Sequence, residues 1–168
     1  MNSGRYKSDI SDHELGMMIE LTAYTLVDEE VHREMMRTVL NVFTKQGFTN
    51  IRASVENMTA PEKIGDYTPD LTCNRKDKQK EFVILEVETC NTVTQEQSEE
   101  KWRVFREKSK EMKGEFHLAV PKFCNGNSGR VLANQRLECA RIRADYVWAV
   151  NGSLQHIAMR DKDGDSNR

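Results

Sequence analysis

The sequence predicts an α/β protein: a three-layer α/β/α sandwich around a central mixed sheet, preceded by an N-terminal helical segment. Two observations predict it. Apolar residues recur at helical spacing before Gly47, between Asn91 and Gly114, and from Val131 to Ile142, while short β-branched or alternating runs lie between and beyond them. The strands first follow one another as a meander and then alternate with helices, the order of a sheet covered by helices. At 168 residues and a formal net charge of −2, the chain is expected to fold as one domain over 11–159, with a flexible tail at 1–10 and a disordered tail at 160–168.

Taken in order, Ser11-Asp12-His13-Glu14 has the spacing of a capping box, and Leu15, Met18, Ile19, Thr22 and Leu26 continue at helical intervals. Asp28 is a second start signal. After it, Val31, Met35, Val39, Val42 and Phe43 form an apolar stripe with Leu40 beside them. The two stretches are either one helix or two jointed near Val27-Asp28. Gly47 is predicted to close the stretch as a left-handed cap. Ile51 to Val55 alternates and reads as a half-buried strand, and Asn57 to Tyr67, with Pro61 and Gly65, as a loop.

Pro69 to Cys73 is predicted as a short strand that opens with an acid. Asn74 to Lys80 is wholly polar, as a hairpin loop should be. Glu81 to Thr89 is predicted as a buried strand: Phe82-Val83-Ile84-Leu85, then Glu86-Val87-Glu88. Asn91 to Lys113 reads as a long polar helix anchored by Trp102 and Phe105, with Val104 and Met112 as weaker anchors and Gly114 as its cap. Phe116 to Val120 is the next strand. Asn125 to Gly129 is a tight loop, either a substrate contact or simply the entry to a helix marked by Val131, Leu132, Leu137, Ala140 and Ile142. Tyr146 to Val150 is a strand, and Asn151-Gly152 signals a hairpin into Leu154 to Met159.

The chemistry concentrates between Pro69 and Thr89. Antiparallel pairing of the two strands would bring Asp70 and Glu86 together. Carboxylates at the end of an apolar strand need a cation or water. One reading is a site for Mg²⁺ or Mn²⁺, with Asp70 and Glu86 as hard oxygen ligands. Glu88 points the same way as Glu86, because side chains alternate along a strand. The competing reading is a strand end emerging into solvent.

The cations of the following helix (Lys101, Arg103, Arg106, Lys108, Lys110, Lys113) are largely balanced by Glu96, Glu99, Glu100, Glu107 and Glu111. They form either a solvated face with ion pairs one turn apart or a phosphate-binding face. Lys101 stands out, because it comes early in the helix that leaves the acidic strand. Gln97 lies one turn before it on the same face.

Pro-Asp, a loop, then Glu-x-Glu on an apolar strand resembles the PD-(D/E)xK nuclease superfamily, whose fold is restriction-endonuclease-like. The resemblance extends over about Asp28 to Val150 and includes the helix with Lys101-Trp102 and Phe105 and the strand Phe116-His117-Leu118-Ala119-Val120-Pro121. It implies a metal-dependent endonuclease that hydrolyses DNA phosphodiester bonds. Asp70 and Glu86 would be the metal ligands, with the Val87 carbonyl as a third. The family carries Lys two residues after the first acid of the later pair, and here Glu88 stands there. Glu88 would then serve as a general base or help hold a second metal, or Lys101 would take the lysine's role with Gln97 orienting water or binding phosphate. An acid of the first helix, Glu30 or Glu34, is a further candidate. His13, His32, His117 and His156 are scattered, and none is assigned to metal.

The resemblance leaves a second reading open: a catalytically inactive module of the same fold that binds nucleic acid or a protein partner. The near-neutral charge gives no global sign of nucleic-acid binding, so contact with DNA would need a local basic face. DNA is expected over RNA, and a homodimer is expected if both strands of a duplex are cut. No apolar run reaches membrane-spanning length, and the polar first ten residues do not read as a signal peptide. Cys73, Cys90, Cys124 and Cys139 are far apart with no Cys-x-x-Cys pair, so reduced thiols and a cytoplasmic location are expected rather than zinc or disulfides.

Overall fold

The computed structural model describes residues 12–75 and 81–151, with side chains from residue 27 onward. The two predicted tails, the Ser11 cap and the segment Leu154 to Met159 lie outside the described residues.

Helix α1 runs unbroken over Asp12–Lys45. Nothing near Val27-Asp28 breaks it, because that stretch has no Gly or Pro and Val27 simply faces outward. Met35, Met36, Val39 and Phe43 are its buried stripe, while Val42, expected among them, stays at the rim. Gly47 has φ 82°, and the Phe48 N–H bonds back to the Phe43 carbonyl at 3.0 Å, so the predicted left-handed cap is present.

The main sheet has the order β1-β2-β3-β4-β7, formed by β1 (Thr49–Ala53), β2 (Leu71–Asn74), β3 (Phe82–Val87), β4 (Glu115–Pro121) and β7 (Tyr146–Val150). β1, β2 and β3 pair antiparallel, whereas β3, β4 and β7 pair parallel, so the sheet is mixed. Helix α2 (Glu96–Glu111) connects β3 to β4, and α3 (Gly129–Ala140) leads to β7. Sheet residues alternate between two cores. Leu71, Val83, Leu85 and Val87 join the α1 stripe, and Ile84, Phe116, Leu118 and Val120 join Trp102 and Phe105 of α2 and Ala133 and Leu137 of α3. Full burial of each large apolar side chain contributes about 1.5–3 kcal/mol, which is what holds helices against this sheet. Among the described residues no helix is long and apolar enough to cross a membrane.

Several boundaries differ from the sequence reading, each for a local reason. β1 ends at Ala53: the Ser54 N–H still bonds in register to the Asp70 carbonyl at 2.9 Å, and the chain then turns, the Met58 N–H closing onto the Val55 carbonyl at 3.3 Å. α2 begins at Glu96 rather than Asn91. The Thr89 N–H is taken by the Thr92 hydroxyl at 2.8 Å, and side-chain bonds of this kind compete with helix entry. The left-handed residue after α2 is Lys113, with φ 53°, not Gly114. Gly114 is there for closeness: a Cβ on it would stand 2.1 Å from the Phe82 carbonyl oxygen.

The Asn125–Gly129 loop is a small hairpin of β5 (Phe123–Cys124) and β6 (Asn127–Ser128), turning on Asn125 and Gly126 at φ 50° and 81°.

The expectation of reduced cysteines fails at one pair. Cys90 and Cys124 form a disulfide, with their Cα atoms 5.4 Å apart. Parallel pairing explains it, since both cysteines follow the adjacent C-terminal ends of β3 and β4. Cys73 and Cys139 are free, and burial pushes the Cys73 thiol up to about 12.

Candidate functional site

The hairpin register builds the site. Leu71 lies opposite Leu85, which sets Asp70, just before β2, beside Glu86 near the end of β3. Asp70 Oδ2 accepts a hydrogen bond from the Val87 N–H at 2.8 Å, and Glu86 Oε2 accepts one from the Asp70 N–H at 3.2 Å. The sequence-predicted pair is therefore brought together, by bonds that fix both carboxylates.

Helix α2 delivers a cation to them. Lys101 Nζ pairs with Glu86 Oε1 and lies 3.4 Å from Glu88 Oε1. Glu88 is 1% exposed, and its oxygens are engaged: Oε1 accepts from Trp102 Nε1 at 2.7 Å, and Oε2 lies 3.2 Å from the Ser98 hydroxyl. Ser98 and Trp102 are one turn apart on the buried face of α2, so Glu88 is gripped by the same helix that carries Lys101. In this geometry Glu88 holds Lys101 in place and is shut away from water.

Gln97 is exposed and is not among the residues lining the cleft, although it lies one turn from Lys101. Glu30 pairs with Arg33, and neither Glu30 nor Glu34 lines the cleft; their helix contributes Asp28, Glu29 and His32 instead.

His32 is the residue the sequence reading missed. Its Nε2 stands 3.2 Å from Asp70 Oδ2. A lone histidine well over thirty positions before its partner carries no spacing signal, so only the fold reveals it. His117 is fully buried and outside the site. Its Nε2 lies 2.9 Å from Glu115, and Trp148 Nε1 donates to its Nδ1 at 3.3 Å. Because the indole can only donate, Nδ1 must accept and the ring is neutral. Burial, helped by the charge of Arg75, pushes its pKa down to about 3.

These groups open into a cleft of about 880 Å³ lined by α1, the β1–β2 loop at Ser54 to Met58, and the ends of β2 and β3. Its electrostatics are unbalanced. Burial and then the charge of Asp70 push Glu86 well above the usual carboxylate range, and Lys101 opposes this. Burial works against the Lys101 ammonium, but Glu86 and Glu88 outweigh it and raise its pKa. The hydrogen bond to Asp70 raises His32 in spite of burial.

The carboxylates of Asp70 and Glu86 are donors of the type that a hard divalent cation takes. Two donors at right angles about 2.1 Å from one ion stand about 3 Å apart, close to the separation of His32 Nε2 and Asp70 Oδ2. Among the described residues no group of three or more His, Cys, Asp or Glu side chains is already arranged to hold a metal, so water or the Val87 carbonyl would have to complete the shell. No family model, no curated protein and no solved structure matches this chain.

Proposed function

We propose that this chain is a metal-dependent nuclease that hydrolyses DNA phosphodiester bonds, built on a restriction-endonuclease-like three-layer α/β/α core. The observation that carries the reading is the position of Lys101. It comes from α2, yet its ammonium rests on Glu86, where the Glu-x-Glu motif lacks its lysine. Asp70 and Glu86 would hold Mg²⁺ or Mn²⁺ with the Val87 carbonyl, and His32 is placed to join them. When bound, the metal would acidify a water and polarise the phosphoryl group. Lys101 binds a phosphate oxygen or orients the attacking water, and Glu88 keeps it aimed through Trp102 and Ser98. Gln97, at the surface one turn away, would contact the substrate rather than the metal.

A second reading rests on the same ion pair. With Lys101 already neutralising Glu86, the cleft can stand without metal, as an inactive nucleic-acid or protein-binding module would. Titrating Mn²⁺ calorimetrically into wild type and Asp70→Asn separates the two. The nuclease reading expects one site that the substitution removes, and the inactive module expects no binding to either protein. The Cys90–Cys124 disulfide removes one ground for a cytoplasmic location.

A further inference from the structure

A second feature lies on the other flank of α2. A hollow of about 270 Å³ is lined by five cations, Arg103, Arg106, Lys110, Arg141 and Arg143, with Glu107 as its one acid. On a helix, Arg103 is turned about 200° from Lys101, so this hollow and the cleft face opposite ways.

Part of the cationic set is held in place. The Arg103 guanidinium donates to the Ala140 carbonyl at 3.2 Å, Arg106 pairs with Asp145 at 2.5 Å, and Lys110 pairs with Glu107 at 2.7 Å. The Arg106 Nε is buried without an acceptor among the described residues. Arg141 and Arg143 are exposed and have no acidic partner among the described residues. They flank Ile142, whose burial pins the connector between α3 and β7 and so fixes the backbone from which both side chains leave at the mouth. Arg141 also occupies the left-handed region at φ 55°, a position helices usually give to Gly or Asn. Attraction to a helix C-terminus suits Arg141 but not Arg143, which lies beyond the helix.

We propose that this hollow is a second phosphate site, where Arg141 and Arg143 grip the sugar-phosphate backbone of a nucleic acid away from the scissile bond. The proposal rests on the nucleic-acid reading of the cleft. Guanidinium forks match phosphate oxygens two at a time, and a shallow basic pocket without aromatic stacking residues suits a backbone rather than bases.

The test is fluorescence anisotropy of a labelled DNA duplex in chelator, for wild type and for Arg141→Asn/Arg143→Gln, with Arg52→Gln as control. Asn keeps the left-handed position accessible, so the double variant should fold. The proposal expects affinity at low salt to fall at least about tenfold in the double variant, and the slope of log affinity on log salt to shrink by about two, with the control unchanged. Equal binding by wild type and double variant overturns the second site but leaves the nuclease reading standing. The same holds if inorganic phosphate alone shifts the Arg141 and Arg143 amide signals without any change in duplex affinity. A wild type that binds no duplex overturns the second site, and the nuclease reading then stands or falls on cleavage in Mg²⁺ or Mn²⁺.

Discussion

Asp70 and Glu86 each hold the other's strand: Asp70 Oδ2 takes the N–H of Val87, and Glu86 Oε2 takes the N–H of Asp70. The two acids are thus locked face to face at the end of an apolar strand. They are not a fraying strand end in solvent, since Glu86 is 4% exposed. Such a pair is costly without a cation, and the fold supplies Lys101 at Glu86.

Removing that cation should therefore destabilise the protein. Lys101→Met is expected to cost about 3 kcal/mol in chelator, because it leaves Glu86 and Glu88 buried without an ammonium. Mn²⁺ should restore part of the loss if the carboxylates hold metal. Urea denaturation with and without the ion measures both effects.

The link through Trp102 can be broken more gently. Trp102→Phe keeps most of the apolar volume but removes the donor to Glu88 Oε1. An unmatched buried carboxylate oxygen should cost about 1–3 kcal/mol. Cleavage should fall with it, because Lys101 loses its anchor, while metal affinity at Asp70 and Glu86 should hardly change. Trp102→Leu, which loses packing as well, should be clearly less stable than Trp102→Phe.

Much of this was legible in the residues. β7 matches its predicted limits at Tyr146–Val150, because a continuous apolar and aromatic run there is closed on both sides by polar residues. The core of β3 was readable from Val83-Ile84-Leu85, the centre of a short, mostly β-branched or aromatic run bounded by polar residues, which fits a strand buried on both faces. Asp70 and Glu86 were readable because a hairpin fixes its own register. What stayed hidden depends on distant contact. His32 meets Asp70 only because α1 packs across the sheet, and Cys90 meets Cys124 only because β3 and β4 run parallel. The β5–β6 hairpin was read as a loop, since two-residue strands carry no periodicity, although Asn125-Gly126 is a hairpin dipeptide.

His117 gives a pH dependence. Its folded pKa, about 3, lies below the ordinary value of 6.5, so the unfolded chain binds the extra proton between these values. Stability is fully present above about pH 6.5 and should fall as pH drops toward 3, by up to about 1.4 kcal/mol per unit from this group. Denaturation midpoints between pH 7 and 5 should show the slope in wild type and a flatter one in His117→Gln.

The disulfide should matter for stability. Reduction, or Cys90→Ser, is expected to cost about 2–4 kcal/mol, since the bridge closes a loop spanning 34 residues in sequence. Thermal melting with and without a thiol reductant reads this, and Cys139→Ser should melt as wild type does.

The proposed nuclease activity rests on Asp70, Glu86 and Lys101 together. The direct measurement incubates supercoiled plasmid with wild type, Asp70→Ala and Lys101→Ala, each in Mg²⁺, Mn²⁺ or chelator. The expected result is nicking by wild type with metal, none in chelator, and a loss of at least about a hundredfold in both variants. Cleavage that survives Asp70→Ala, or none by wild type in either metal, would contradict it.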